Sequence, residues 1–458
     1  MKKLLQTVLA RITPAKEELA SEKKIIAELL AKIRKIEGKH VRVAVYGSVG
    51  RQTQLANDKD IDLFVLFPKK LSRDEFESEG LRIAKTALKG HPWQEAYSEH
   101  PYIKSEYKGY EIEIIPAYAV KHTGEKKSAV DRTPFHHSYL EKKMNQKQKS
   151  EVRLLKRFLK GIGCYGADVK NQAFSGYATE LLIVKYGSFE KTIRNVSQWK
   201  PPIVIDLTKY WKTEELKKKF PLDTLILIDP TDKDRNVTAA VSSQQIERFV
   251  RATGAFLKKP RIEFFFPNEP RPFTATELQR EIRKQHVTGI AMGYPTGTHY
   301  DIFWGQWKRV HHRIENELTK NGFEIKKTAV YSNETDSSTM LFSLKTLELP
   351  STEWRIGPPV TDTVHVQRFL LAHKKEIKRK KEQNHRIAIE IPRKIKKTET
   401  LFKTQLNTIK TEEKDAVKTA AKNAKILSEK TILLKYANNK DFRVFATQFL
   451  RKKEPWEN

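Results

Sequence analysis

Cysteine is almost missing from this 458-residue chain: Cys164 stands alone, which excludes an intrachain disulfide and a cysteine-rich zinc site. Long apolar runs are missing too, so nothing in the chain reads as a membrane span. The stretch from Leu4 to Ile12 is too short for a secretory leader and is broken by Gln6 and Arg11. These absences predict a cytoplasmic protein. Acidic residues are scarce beside basic ones, 56 Asp+Glu against 87 Lys+Arg, leaving a formal charge of +31. A chain this basic repels itself unless polyanions are among its partners, so nucleic acid is predicted ahead of a merely solubilising surface. Apolar material is sufficient: 38% hydrophobic and 10% aromatic residues exclude wholesale disorder. The length suits about two to four domains.

No internal repeat is visible. Leu19, Ile25, Leu29 and Ile33 recur at helical spacing over residues 16–36. Strands are predicted at 41–47, 61–68 and 110–118, with a helix over 75–88, giving a small mixed domain ending near residue 145. Leu154, Leu155, Phe158, Leu159 and Ile162 then follow a helical period ending at Gly161 and Gly163. A second helix is predicted from the N-cap Ser175 to Gly187, and a third over 243–257. A strand over 262–266 and another over 287–292 precede a helix bearing Phe303, Trp307, Val310, Ile314 and Leu318. Strands over 323–331 and 339–347 complete a β-α-β-β run of the kind found in RNA-binding modules. Residues 374–397 hold 11 Lys/Arg and 3 acids, including the block Lys378–Lys381, and 386–391 alternates like a strand. A lysine-rich helix over 411–435 and a last helix with Phe445 and Phe449 close the chain.

The text most informative about chemistry is YGSVGRQTQLANDKDIDLFVLFP, residues 46–68. Gly47-Ser48 ends a strand where a helix is predicted to begin, and free amides there favour an anion. Asp60 and Asp62 open the next strand two residues apart, so their side chains share a face. Glu111 and Glu113 repeat that spacing on a third strand. Hard carboxylate oxygens converging in this way suit Mg²⁺ and phosphate, hence metal-dependent nucleotidyl transfer. Asp-x-Asp alone is a weak signal; strand, Gly-Ser, Asp-x-Asp and a further acidic pair in sequence are a strong one.

Other residues leave alternatives open. Lys156 sits among apolar helix positions, either as a core-edge lysine or reaching for phosphate. His136-His137 reads as a packed pair, since no spaced partner supports a metal site. Tyr165 lies between Gly163 and Gly166 as a loop aromatic or a sugar contact. Arg235, in Asp232-Lys233-Asp234-Arg235-Asn236, pairs with its neighbouring aspartates or contacts a ligand. Trp304 and Trp307, at helical spacing, read as core ahead of a base-stacking platform.

The head motif resembles the nucleotidyltransferase superfamily related to DNA polymerase beta. Residues 129–140 (AVDRTPFHHSYL), 151–189 and 228–240 (IDPTDKDRNVTAA) narrow this to a resemblance to class I, archaeal-type CCA-adding enzymes. It continues through FWGQWKRVHHRIENEL, Gly357-Pro358-Pro359 and the terminal FLRKKEPW, in order and over nearly the whole chain. The resemblance implies an α+β multidomain fold: a polymerase-beta-like catalytic head (1–145), a helical neck (146–260), an RRM-like body (261–360) and a basic tail (361–458). It implies addition of C, C and A to the 3′ end of tRNA from CTP and ATP, with Mg²⁺ as cofactor and the acceptor stem held by body and tail. It is compatible with a homodimer. Gly47, Ser48 and Arg51 would border the triphosphate, and Asp60, Asp62 and Glu113 would be the catalytic metal ligands. Thr133, His136, Lys156 and Tyr165 would contact triphosphate or sugar, and Arg235 the base. The family's third carboxylate is usually aspartate, so Glu113 departs from it by one methylene, and Glu111 is the alternative. The rival functions are a poly(A) polymerase-like enzyme and a non-catalytic RNA-binding protein with a degenerate head.

Overall fold

The computed structural model describes the chain except residues 38–40, 98, 296, 299, 413–414, 452 and 458. It is an α+β protein with two compact units, residues 1–268 with 455–458, and residues 269–454.

In the first unit, strands β1 (Arg42–Val45), β2 (Asp60–Pro68), β3 (Trp93–Tyr97), β4 (Pro101–Tyr107) and β5 (Tyr110–Ala119) form a sheet ordered β1-β2-β5-β4-β3. Only β2 and β5 run parallel. Alternation along β2 divides its work. Ile61, Leu63, Val65 and Phe67 pack with Ile25, Leu29 and Ile33 of helix Lys16–Glu37 and with Phe76 and Ile83 of helix Arg73–Ala87. The even residues Phe64 and Leu66 join Ile115 and Ala117 in a separate cluster with Tyr46. Asp60 and Asp62 therefore share the face opposite the two helices. Two features were not anticipated: helix Lys2–Ile12, which sends Val8 and Ile12 into the neighbouring helical core, and the β3–β4 hairpin.

That helical core holds Gln146–Gly161, Gly176–Tyr186, Phe189–Val196 and Ser243–Lys258. Asn145, Ser175, Ser188 and Ser242 cap them, each accepting a backbone N–H of the first turn. Seven phenylalanines, at 158, 174, 189, 249, 256, 264 and 265, fill the centre. The strand expected over 262–266 is instead a single 3₁₀ turn, Ile262–Phe264. Phe264 and Phe265 are both buried in one core, which a strand with alternating faces cannot arrange. The C-terminal Trp456 is buried in the same core, with Arg248 over its ring. This middle segment also holds a small sheet absent from the sequence reading: β6 (Ile203–Ile205), β7 (Leu225–Asp229) and β8 (Asp232–Asn236).

The second unit contains the expected β-α-β-β run: β9 (Val287–Gly293), helix Tyr300–Lys320, β10 (Ile325–Ser332) and β11 (Ser337–Leu344). Trp304 and Trp307 are buried core residues of that helix. A three-stranded sheet follows, from β12 (Thr352–Pro359), β13 (Arg379–Gln383) and β14 (Arg386–Pro392), with β14 central. The long lysine-rich helix expected over 411–435 is broken. Helices Thr398–Glu412 and Asp415–Lys422 give way to β15 (Lys425–Leu427), which extends the first sheet beside β9 before helix Glu429–Asn438 begins at Ser428. Ile426 and Leu427 supply the apolar edge that β9 covers, so pairing overrides helical propensity.

Close packing identifies one replaceable glycine and one that is not. A Cβ on Gly161 would lie 2.2 Å from the Phe264 carbonyl oxygen and 2.7 Å from that of Phe265, whereas one on Gly254 meets open space. Gly161→Ala is expected to destabilise by ~2 kcal/mol through overpacking. Gly254→Ala, inside helix Ser243–Lys258, should stabilise by ~0.5 kcal/mol. Thermal unfolding followed by circular dichroism checks both; equal melting temperatures would refute the packing argument.

Candidate active site

Parallel pairing sets the acidic edge. Register places Asp60 opposite Glu111 and Asp62 opposite Glu113, so four carboxylates come from adjacent positions at the starts of two strands. Crowding has its electrostatic consequence: burial first, then Glu113 and Asp60, push the Asp62 carboxyl up to about 6. Asp60 is raised in the same direction by burial, Asp58 and Glu111. Lys104 on β4 answers part of the charge, with its Nζ 2.5 Å from Glu113 and 3.5 Å from Glu111. Although burial opposes it, the Glu113 bond holds the Lys104 ammonium charged well above its ordinary range. Gly47 completes the edge. It has φ +63°, and a Cβ there would lie 1.8 Å from Asp62 Oδ2, so only glycine lets the carboxylate lie across the turn. A helix does begin at Gly47-Ser48, as expected, but Gly47–Gly50 is a single turn.

These carboxylates suit a hard divalent cation: they are oxygen donors, crowded and incompletely neutralised. They are not drawn into a tight cage. Among the described residues, the one group of three metal-capable side chains within 4.8 Å of one another is His311, His312 and Glu315, on helix Tyr300–Lys320.

A second cluster surrounds a buried glutamate. Glu180, on helix Gly176–Tyr186, is wholly buried and pairs with Arg51 at 3.0 Å. It also accepts from Thr53 Oγ1 at 2.7 Å. Lys156 Nζ, likewise buried, donates to the Thr53 carbonyl at 3.1 Å. Burial pulls the Lys156 ammonium down to about 8 against the attraction of Glu180. The Thr53 amide bonds the Ser48 carbonyl at 2.9 Å, tying the Gly-Ser turn to this cluster. Gly176 brings in the last member, since a Cβ there would sit 3.1 Å from Tyr165 Oη and 3.9 Å from Lys156 Nζ. Two cations stand near one carboxylate here, Arg51 bonded to it and Lys156 held by Thr53, so the cluster carries surplus positive charge.

A third cluster centres on Asp229 of β7. Its Oδ2 accepts from His136 Nε2 at 2.8 Å and Arg235 Nη1 at 2.9 Å. Its Oδ1 accepts from Tyr177 Oη at 3.0 Å and from the Thr231 amide and hydroxyl at 2.9 and 2.8 Å. Burial alone would raise this carboxyl, yet these donors hold it well below the usual carboxylate range. His136 lies flat on Tyr177, with ring centroids 3.9 Å apart, and burial favours its neutral form. The ionised acceptor then fixes the Nε2–H tautomer.

The expected residues thus fall into groups. Gly47, Asp60, Asp62 and Glu113 meet at the acidic edge; Arg51, Lys156 and Tyr165 surround Glu180; His136 and Arg235 share Asp229. Ser48 enters through its backbone. Thr133 only opens the helix Thr133–Lys143 that carries His136. Arg235 does pair with an aspartate, though with Asp229 and not with its near neighbours: Asp232 pairs with Lys126, and Asp234 with Lys219. The histidines separate, His137 standing against Tyr46. Lys104, Thr53, Tyr177, Glu180 and Asp229 were not anticipated. Glu180 alone carried a signal, an acid between the apolar positions Ala178 and Leu181.

Because the folded Asp62 carboxyl is raised, its contribution favours the fold while protonated and is lost as pH rises through about 6. Asp62→Asn should therefore stabilise the metal-free protein near pH 8 by ~3 kcal/mol, with the gain shrinking as pH falls below about 6 and vanishing only below about pH 4. Melting curves across that range test it; a pH-independent difference would remove the crowding argument.

A nucleotidyltransferase domain model matches residues 26–136, the second domain of tRNA nucleotidyltransferase matches 150–266, and the C-terminal domain of CCA-adding enzyme matches 294–429. A CCA-adding enzyme of Methanosarcina mazei is 35% identical over 368 residues, 79% of this chain and 79% of its own. One from Halobacterium salinarum is 37% identical over 71% of this chain and 70% of its own. One from Saccharolobus solfataricus is 37% identical over 77% and 81%. Among solved structures, a cytoplasmic RNA terminal U-transferase aligns at a TM-score of 0.46 and 15% identity, over 57% of this chain and 96% of that one. With three family models in order along it and relatives matched over most of both lengths, the chain belongs to the CCA-adding enzymes.

Proposed function

We propose that this protein adds C, C and A, without a template, to the 3′ end of tRNA from CTP and ATP. The reading rests on the acidic edge, with Asp60 and Asp62 in register with Glu111 and Glu113, beside a cluster of surplus positive charge in a chain of this family. Asp60, Asp62 and Glu113 would hold Mg²⁺, whose charge supports nucleotidyl transfer by offsetting the negative charge that develops between hydroxyl and triphosphate. Arg51 and Lys156 receive the triphosphate, and the surplus positive charge around Glu180 orients it. Thr133, His136 and Tyr165 stand at the triphosphate or sugar, and Arg235 at the base. Lys104 occupies Glu113 in the free protein and is displaced when the carboxylate takes its ligand.

Incubating tRNA that lacks its 3′ CCA with each nucleotide separately and together, then sequencing the ends, tests this directly. CTP alone should add two residues and ATP then one. Unlimited A-tailing would point to a poly(A) polymerase, and no incorporation to a non-catalytic RNA-binding protein. Asp60→Ala and Asp62→Ala should each abolish transfer while leaving tRNA affinity nearly intact, a loss of at least several kcal/mol of transition-state stabilisation. Near-normal turnover in either removes the metal assignment.

The second unit supplies the RNA surface in this reading. Lys378–Lys381 are all exposed, β13 presents three of them, and Lys381 lies 4.1 Å over the ring of exposed Trp354. Neutralising Lys378, Arg379, Lys380 and Lys381 together should flatten the slope of log K against log salt for tRNA by about 2 to 3 units. Arg379 is already paired with Glu390 and contributes least. An unchanged slope would place the footprint elsewhere.

A further inference from the structure

Arginine is a poor reader of anything unless it is held still. Its side chain has several rotors, and a selective hydrogen bond needs the guanidinium fixed to within a few tenths of an ångström. Arg235 belongs to β8, whose side chains receive little packing: Lys233 and Asp234 are exposed, and Arg235 itself keeps 30% of its side-chain surface. What fixes it is Asp229, across the two-residue turn Pro230-Thr231.

Asp229 is an unusual anchor. It is fully buried, so it reaches neither solvent nor a bound nucleotide. Its five donors divide cleanly. Tyr177, the Thr231 amide and the Thr231 hydroxyl lock Oδ1; His136 and Arg235 share Oδ2. Those that lock Oδ1 are scaffold, and those on Oδ2 are Arg235, assigned to the base in the proposed function, and His136, assigned to the triphosphate or sugar. A buried ion pair is weak evidence for stability, because desolvation offsets the attraction; its better-attested use is to specify one arrangement.

We propose that Asp229 is the positioning residue for base selection: it fixes Arg235 and His136 as one unit and does not itself touch the nucleotide. The inference rests on the proposed CCA addition. C and A each present an exocyclic amino group beside an unprotonated ring nitrogen, whereas U and G present a carbonyl beside a ring N–H. Arg235 can only donate, so a fixed guanidinium satisfies the bare ring nitrogen and is mismatched to the N–H. A guanidinium released from Asp229 can swing to the carbonyl of U or G, and the distinction fades.

The test is the ratio of kcat/KM for CTP over UTP on tRNA lacking its CCA, measured beside melting temperature. Asp229→Asn replaces the Oδ2 acceptor or disorders it, and the ratio should fall tenfold or more, as it should in Arg235→Ala. Asp229→Glu keeps the buried charge and protects folding, yet moves the anchor by one methylene, so the ratio should fall there also. Thr231→Val removes one Oδ1 donor; it should lower the melting temperature and leave the ratio alone. The double variant Asp229→Asn/Arg235→Ala should be no less selective than Arg235→Ala, since one residue acts through the other. If both Asp229 variants keep the native ratio while Arg235→Ala loses it, or if Thr231→Val shifts it equally, Asp229 is scaffold and the inference falls. If the unaltered protein incorporates U as readily as C, the base-reading role of Arg235 falls with it. If it incorporates nothing, the proposed function fails instead.

Discussion

Parallel pairing between β2 and β5 is the constraint to which the head is built. It brings like charges together: Asp60 against Glu111, Asp62 against Glu113. Neighbouring carboxylates repel, and burial of one strand face leaves them no room to separate. The surrounding residues respond to this. The odd positions of β2 carry the apolar contacts that keep the strand in place, so the even positions can hold charge. Lys104 neutralises one pair from β4. Gly47 withdraws its side chain entirely where Asp62 crosses it. An edge that is costly in the free protein is suited to a divalent cation, whose charge offsets the repulsion.

The same economy of buried charge appears twice more, with opposite sign. Around Glu180, Arg51 is bonded to the carboxylate and Lys156 is held by Thr53, leaving positive charge in a place with little water. Around Asp229, one carboxylate is shared between a cation and a neutral histidine, and its second oxygen is saturated by the turn that follows it. In the proposed function the first arrangement attracts an anion. The second holds a donor still. Neither requires a large apolar surface, which the phenylalanine core beneath them supplies.

Much of this was legible in the sequence, and the limit has a physical cause. Period-2 alternation placed Asp60 with Asp62 and Glu111 with Glu113, because both pairs sit on strands long and apolar enough to be recognised. The cap at Ser175 was legible for a similar reason, since a single side chain satisfies a local backbone need. Short strands were not. β6 spans three residues, and the polar text of β8 reads as a turn, so the sheet that carries Asp229 and Arg235 was invisible. Arg235 itself was named, and a pairing with an aspartate was weighed, yet the partner lay six residues back across a turn and not beside it. Lys104 illustrates the general case: one lysine among many, its role set by β4 lying next to β5. Local chemistry survives in sequence; partners chosen by topology do not.

The two units handle charge in contrasting ways, and this separates chemistry from recognition. In the first, the decisive charges are enclosed and individually matched, as suits reacting groups whose positions must be held to a fraction of an ångström. In the second, the basic residues of β13 are exposed, and of Lys378–Lys381 only Arg379 is fixed by an acid, Glu390. Trp304 and Trp307, which could have offered bases a stacking surface, are consumed by the core. What remains outside is Trp354 of β12, bordered by Arg379 and Lys381 of β13. In the proposed function such a surface would grip phosphate without reading sequence, the way in which A-form RNA is recognised. On the proposed function, selectivity for the incoming base resides in the first unit, where Asp229 holds Arg235.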